Sequence, residues 1–408
     1  MNETNGRRSP KLNVLYVAAS LPFPPDKGER IRVFHQLREL AREHQVHLVC
    51  FSDRDAAPSA VEALEAIGVT VQTAPITRFG TWARAVSAFA RGLPREPHAL
   101  GSVPLRRTIE GALRKARFDV ILASTVGVTE SVRDMGSLPK ALDLMDVTSE
   151  LWSESAERSA FPWSWFHGLE ARRLATYEAE VVRSFDSTIV VSEEEARIFR
   201  QRVADLPVTV VGNGVDLDAF VPVPESAGSA ESSRSVVFTG SMDYFPNVDA
   251  VLYFCGAILP HVRAAVPDVH FQVVGRNPTR AILDLQREGH INVSGYVPDV
   301  RPYLAQAAVA VAPFRISRGV PNKILEAMAS GLPVVGSSRV LDVLEVGGDD
   351  GARRADDPES FAREVVALIE DAEWRARCSL SARRFVERCH GWEMHSPSGV
   401  LESIVERD

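Results

Sequence analysis

Cysteine is scarce in this chain: four in 408 residues, at positions 50, 255, 378 and 389, with no C-x-x-C pair among them. That excludes a disulfide scaffold and a cysteine-ligated zinc site, and it marks the four as reduced core residues. The ten histidines include no H-E-x-x-H or other ligand cluster, so no dedicated metal is expected. Basic charge is in deficit: the formal net charge of −8 argues against non-specific nucleic-acid binding, which needs a basic surface. No run approaches the length that spans a bilayer. The opening "MNETNGRRSPK" lacks the apolar stretch of a signal peptide. The expectation is a cytoplasmic protein. With 45% apolar and 25% charged residues, the chain has ordinary globular composition and material for two cores.

What is present is alternation. "LNVLYVAA" (Leu12–Ala19) reads as a buried strand, and "IRVFHQLRELARE" (Ile31–Glu43) puts Val33, Leu37 and Leu40 on one helical face. Further strands are Gln45–Phe51, Phe118–Ser124, Lys140–Met145 and Ser187–Ser192. The last ends at Ser192 and Glu195, which have capping-box spacing. A Pro/Ser/Gly/Ala stretch from Pro222 to Ser235 then reads as a linker. Alternation resumes with strands at Val236–Ser241, Val269–Gly275, Ile291–Gly295, Ala307–Pro313 and Pro333–Ser337. Strands separated by helices predict an α/β fold with two parallel-sheet, Rossmann-like domains in tandem. The expected boundaries are 1–207 and 208–385, with a helical tail at 386–408 packing back toward the first domain.

One junction concentrates charge. After the strand "AAVAVAP", the stretch "FRISRGVPNKILEAMA" carries Arg315, Arg318 and Lys323 around the start of a helix whose first acid is Glu326. Open α/β sheets bind ligands at such strand–loop–helix edges. A helix N-terminus favours an anion, and Gly319 allows close approach. Three full positive charges suit a diphosphate. Glu326 shares a face with Asn322, Ala329 and Ser330, where a carboxylate would accept hydrogen bonds from the hydroxyls of a ribose. The alternative reading is a surface Lys323–Glu326 helix pair.

"LEAMASGLPVV", "VVGNGVDLDAF", "VVFTGSMDYFPNVDAV", "FQVVGR" and "VSGYVPDVRPYLAQAAVAVAPF" together resemble glycosyltransferase family 4. In finer detail, "LDLMDVTSELW", "GSMDYFPN" and "RGVPNKILEAMA" resemble the sugar transferases of exosortase/PEP-CTERM exopolysaccharide systems. The resemblance implies the GT-B fold, two Rossmann-like domains facing each other across a cleft. It also implies a nucleotide-sugar donor, a glycan or lipid-linked glycan acceptor, and retaining chemistry in which the leaving phosphate helps deprotonate the acceptor. No metal is implied. The expected donor-binding set is Gly28, Gly240, Arg276, Val297, Arg315, Arg318, Gly319, Asn322, Lys323 and Glu326, with the positive charge shifted from the family's place to Arg276, Arg315, Arg318 and Lys323. The groups acting on the reaction are Asp146, Arg315, Lys323 and Glu326. The family motif E-x7-E has Glu326 as its second acid, but Arg318 stands where the first belongs, and no Lys or Arg lies between Ser241 and Pro260. Relatives of the same fold include nucleotide-sugar 2-epimerases, and a silent scaffold or a two-lobed sugar-binding protein are further readings.

Other candidates are local. "LDLMD" offers Asp143 and Asp146 to an acceptor, with helix capping near Ser149 as the alternative for Asp146. Asp243 either reaches the site or forms a turn. His35 is expected to be a partly exposed structural histidine. "DRD" (Asp53–Asp55) and "DLD" (Asp216–Asp218) imitate a short metal motif. "FPWSWFHG" places Phe161, Trp163, Trp165 and Phe166 together, either as a peripheral membrane contact or as a cap on the first core.

Overall fold

The computed structural model describes residues 11–52, 58–101, 103–136, 138–222, 234–316 and 322–407. The chain forms two compact units, one of residues 1–212 with 395–408 and one of residues 213–394. The division therefore falls later than the expected 207/208 and 385/386. The strand after residue 207 completes the first sheet, and the helix Ala372–Cys389 and the turn after it stay with the second unit.

Among the described residues of the first unit, seven strands pair in the order β3-β2-β1-β4-β5-β6-β7. They are β1 Asn13–Ala18, β2 Gln45–Ser52, β3 Val69–Pro75, β4 Val120–Ser124, β5 Lys140–Leu144, β6 Ser187–Val190 and β7 Val208–Val210. Every pairing is parallel. Successive side chains serve opposite faces: Leu15 and Val17 join one core, while Val14, Tyr16 and Ala18 join the other. That two-sided burial is why β1 reads as a continuous apolar run. β3 escaped the sequence reading because it is an edge strand with only Val69 and Ala74 buried. The C-terminal helix Ser398–Val405 belongs to this unit, with Leu401 and Ile404 in the β1 core.

Among the described residues, the second unit holds six strands in the order β10-β9-β8-β11-β12-β13. They are β8 Ser235–Thr239, β9 His270–Val274, β10 Ile291–Val293, β11 Val309–Ala312, β12 Val334–Gly336 and β13 Ala352–Arg354. All run parallel. Strand order reverses between β1 and β4 in one sheet and between β8 and β11 in the other, the switch points where such sheets bind ligands.

One expectation fails here. The helical run Phe245–Ala265 is long and apolar enough to cross a membrane by composition, whereas the sequence reading found no such run. Its buried face, including Val251, Phe254, Ile258 and Val262, packs in the core of the second unit. The apolar content is that of a core helix.

Candidate functional site

The β8/β11 switch point is built from two glycine turns. Gly240 follows β8 with φ +152° and Gly275 follows β9 with φ +154°. A Cβ on Gly275 would lie 1.6 Å from the Gly240 carbonyl oxygen, so the two backbones touch where only glycine fits. The Gly240 N–H donates to the Val274 carbonyl at 2.9 Å, and the Met242 N–H to the Arg276 carbonyl at 2.8 Å. Arg276 also donates through Nε to Ser241 Oγ at 3.3 Å.

Lys323, from the first turn of the helix Asn322–Ala329, reaches across to this floor. Its ammonium donates to Asn247 Oδ1 at 2.5 Å and lies 4.6 and 5.0 Å from the ring centres of Phe238 and Phe314. A Cβ on Gly240 would meet that ammonium at 2.6 Å. Burial drives the Lys323 pKa down to about 7, with Glu326 pulling the other way. Burial likewise pushes Glu326 up to about 7, opposed by Lys323. Glu326 makes no side-chain hydrogen bond among the described residues. One turn earlier on the same face, both side-chain polar atoms of Asn322 are buried without a partner there. Buried polar atoms are costly to leave unpaired, and Asn322 leaves two of them on the helix that carries Lys323 and Glu326.

Gly240, Arg276, Val297, Asn322, Lys323 and Glu326 therefore lie on β8, β9, β10 and β11 and their following segments, at neighbouring carboxyl ends. Val297 itself packs partly against the core. Arg315 is different. Its guanidinium forks onto Asp249, at 3.1 Å through Nε and 2.5 Å through Nη2, and stacks 4.6 Å over Tyr253. It lines a hollow with Phe314, Ser337 and Arg339 that includes neither Lys323 nor Glu326. Its charge is already matched by a carboxylate, a partner 66 residues away that the local sequence could not show. Arg318 and Gly319 lie outside the described residues.

In the first unit Gly28 opens the helix Gly28–Glu43, exposed and with open space around it. Asp143 leaves the candidate set: it is fully buried, forked by Arg32 at 2.9 and 2.8 Å and bonded by Gln36 at 2.8 Å. Asp146, just past β5, makes no hydrogen bond among the described residues. Burial first, and then the charge of Glu96, lift its pKa to about 7, with Arg32 opposing. It does not cap the helix Thr148–Arg158, whose N-cap is Val147; Ser149 bonds Glu178 instead. Next to it, Glu195 accepts the Val191 N–H at 3.1 Å.

Asp243 is a turn former, accepting from Ser241 Oγ at 2.7 Å and Asn277 Nδ2 at 2.9 Å; these bonds lower its pKa. Asp216 likewise accepts the N–H groups of Asp218 and Ala219, and Asp53–Asp55 lie outside the described residues. His35 is buried rather than partly exposed. Phe161, Trp163 and Trp165 are exposed, but Phe166 packs on Phe89 at 5.6 Å and under the Arg95 guanidinium at 4.5 Å. Sequence reading missed Asn247 and Gly275. The "GSMDYFPN" and "VVGR" stretches held both, but only the sheet shows that they meet.

Two family models match in succession. "Glycosyltransferase Family 4" covers residues 28–219, and "Glycosyl transferases group 1" covers residues 233–371. The chain belongs to the GT-B glycosyltransferases of family 4. Among curated relatives, O-antigen chain mannosyltransferase B of Escherichia coli is 35% identical over 31% of this chain and 33% of its own length. The phosphatidyl-myo-inositol mannosyltransferase of Mycobacterium leprae is 29% identical over 49% of this chain and 54% of its own. The alignments thus span a third to about half of these relatives. Anabaena HepE, solved in complex with UDP, shares the fold at a TM-score of 0.65 and 14% identity, over 97% of this chain and 99% of its own.

Proposed function

We propose that this protein transfers a glycosyl group from a nucleoside-diphosphate sugar to a hydroxyl of a glycan or lipid-linked glycan, with retention at the anomeric carbon. The observation that carries the reading is the Lys323 ammonium seated against Gly240, next to an Asn322 side chain that is buried without a partner among the described residues and one turn from Glu326. A diphosphate at Gly240 would meet Lys323 first and Arg276 at its flank. Charge building on the leaving diphosphate would be stabilised by these preset cations, the arrangement that commonly dominates such catalysis. The positive charge comes from side chains, with no resident metal in the scheme. Glu326 accepts the ribose hydroxyls. Asp146 orients the acceptor hydroxyl. The names of the relatives support an acceptor of O-antigen or phosphatidylinositol type and make a mannosyl donor the first to test. The setting is the cytoplasmic face of a membrane, in assembly of an exported polysaccharide.

A thermal-shift screen across nucleoside diphosphates tests the donor site. One of them at a hundredfold excess over its Kd stabilises the fold by about 2.7 kcal/mol. Glu326→Ala then loses about 1.5–3 kcal/mol of affinity, the scale of a hydrogen bond to a charged group. No shift with any nucleotide, or a folded Glu326→Ala protein with wild-type affinity, overturns the assignment. Conversion of the donor to an epimer without release of nucleoside diphosphate replaces transfer by epimerisation.

A further inference from the structure

The helix Phe245–Tyr253 meets the segments around the carboxyl end of β11 at two places. Asn247, in its first turn, donates through Nδ2 to the Ser241 carbonyl at 2.9 Å and accepts from the Lys323 ammonium at 2.5 Å. Asp249 and Tyr253, four residues apart and so on one helical face, together receive Arg315. Asp249 takes the guanidinium as a fork, at 3.1 Å through Nε and 2.5 Å through Nη2, and the Tyr253 ring centre lies 4.6 Å from it. An exposed ion pair contributes little, but this one differs. The Asp249 side chain is 12% exposed, the pairing is bidentate, and a ring covers the guanidinium face, a combination that only arginine supplies. Arg315 follows Phe314, whose ring centre stands 5.0 Å from the Lys323 ammonium and 5.7 Å from that of Phe238. The Phe314 carbonyl accepts from Ser337 Oγ at 2.8 Å. The ring that packs on Lys323 is therefore held at its own residue and, through the next one, by Asp249.

We infer that Asp249 is a positioning residue for donor binding: by fixing Arg315 it sets Phe314, and with it the place of the Lys323 ammonium at Gly240. This rests on the donor reading given above, in which Lys323 meets the diphosphate. Arg315 then acts through where it holds the backbone, not as a charge on the donor, because Asp249 already matches that charge. One helix thus grips two cations that stand before and after residues 317–321 in the chain, Arg315 through Asp249 and Lys323 through Asn247. The two roles open to Arg315 predict opposite signs. A guanidinium that ligates the diphosphate binds it better once the competing carboxylate is gone. A guanidinium that positions Phe314 and Lys323 loses its hold, and affinity falls.

Calorimetric titration of the full chain with UDP, GDP, ADP and CDP tests it, the variants being compared on whichever binds the wild type. Asp249→Ala and Arg315→Ala are each expected to lower affinity by about tenfold, and the double variant to lie no lower than either single, as for residues acting through one contact. Asp249→Asn keeps the size of the side chain and loses the charge-assisted fork. It lowers affinity in the same direction and replaces Asp249→Ala if that variant does not fold. Asp249→Glu, which keeps the carboxylate, recovers most of the affinity. Thermal melts without ligand confirm that each variant compared is folded. Higher affinity in Asp249→Ala or Asp249→Asn overturns the inference, because Arg315 is then a ligand of the diphosphate. Wild-type affinity in folded Asp249→Asn also overturns it. So do losses that add to about a hundredfold in the double variant, and so does a folded Asp249→Glu as weak as Asp249→Ala. The donor reading is scored apart. A wild type that binds none of the four nucleotides removes that reading and this inference together, whereas wild-type binding with unchanged Asp249 variants removes this inference alone.

Discussion

Lys323 shows how one residue can be both buried and needed as a cation. Its ammonium sits among Asn247, Phe238 and Phe314, and burial lowers its pKa to about 7. In the free protein it therefore loses its proton as pH rises through 7. A bound diphosphate favours the charged form, so binding above pH 7 must take up a proton. Affinity for a nucleoside diphosphate should fall between pH 7 and 9, by up to about tenfold per unit. Lys323→Arg, which stays protonated, should flatten that fall. Calorimetry across the range checks both, and a flat wild-type profile would remove Lys323 from the diphosphate. Asn322 and Glu326 were legible at this scale, because helical spacing alone aligns positions four apart. Asn247 was not, because its contact with Lys323 joins residues 76 apart.

At the scale of elements, the donor site depends on turns rather than on strands. The Gly240 and Gly275 turns press backbone on backbone, so Gly275→Ala would force them apart. A loss of about 3 kcal/mol or more in stability is expected from an overpacked residue at a left-handed φ, together with loss of nucleotide binding. Gly28 is the contrast: an added Cβ there meets nothing within 4 Å. Gly28→Ala should hold or raise stability, by about 0.4–1 kcal/mol. Lost turnover in that variant would then report contact with substrate rather than damage to the fold. Denaturant melts of the two variants separate the cases. The strands themselves were readable wherever both faces are buried. The edge strand β3 was not, since exposure erases the apolar signal. Phe245–Ala265 was missed for the opposite reason: it has the length and hydropathy of a span, although its buried face packs in the second core.

At the scale of the molecule, the chain ends in the unit where it began. Leu401 is fully buried and Ile404 nearly so in the core with Val14 and Tyr16, and His44 Nε2 lies 2.7 Å from Ser398 Oγ. Leu401→Ala should destabilise the first unit by about 2–5 kcal/mol and leave the melting of the second unit in place. Scanning calorimetry with and without a nucleoside diphosphate can resolve this, since only the second unit's transition should shift with ligand. A single joint transition lowered as a whole would contradict it. The two units need not melt together.

Periodicity and turn residues, read from the sequence alone, determined the α/β class and its two parallel sheets. The "NKILEAMA" helix set Lys323 and Glu326 near each other, because such signals are local in the chain. Tertiary structure decided the rest. It spent Arg315 on Asp249 and Asp143 on Arg32, each a pairing across many residues that neutralises a charge the sequence left open. It also joined the two glycine turns, left Asp146 without a hydrogen bond among the described residues, and moved the domain boundary to residue 212 by giving β7 to the first sheet. Charge pairing and sheet order are set by which distant segments pack together, and one chain's local pattern does not encode that choice residue by residue.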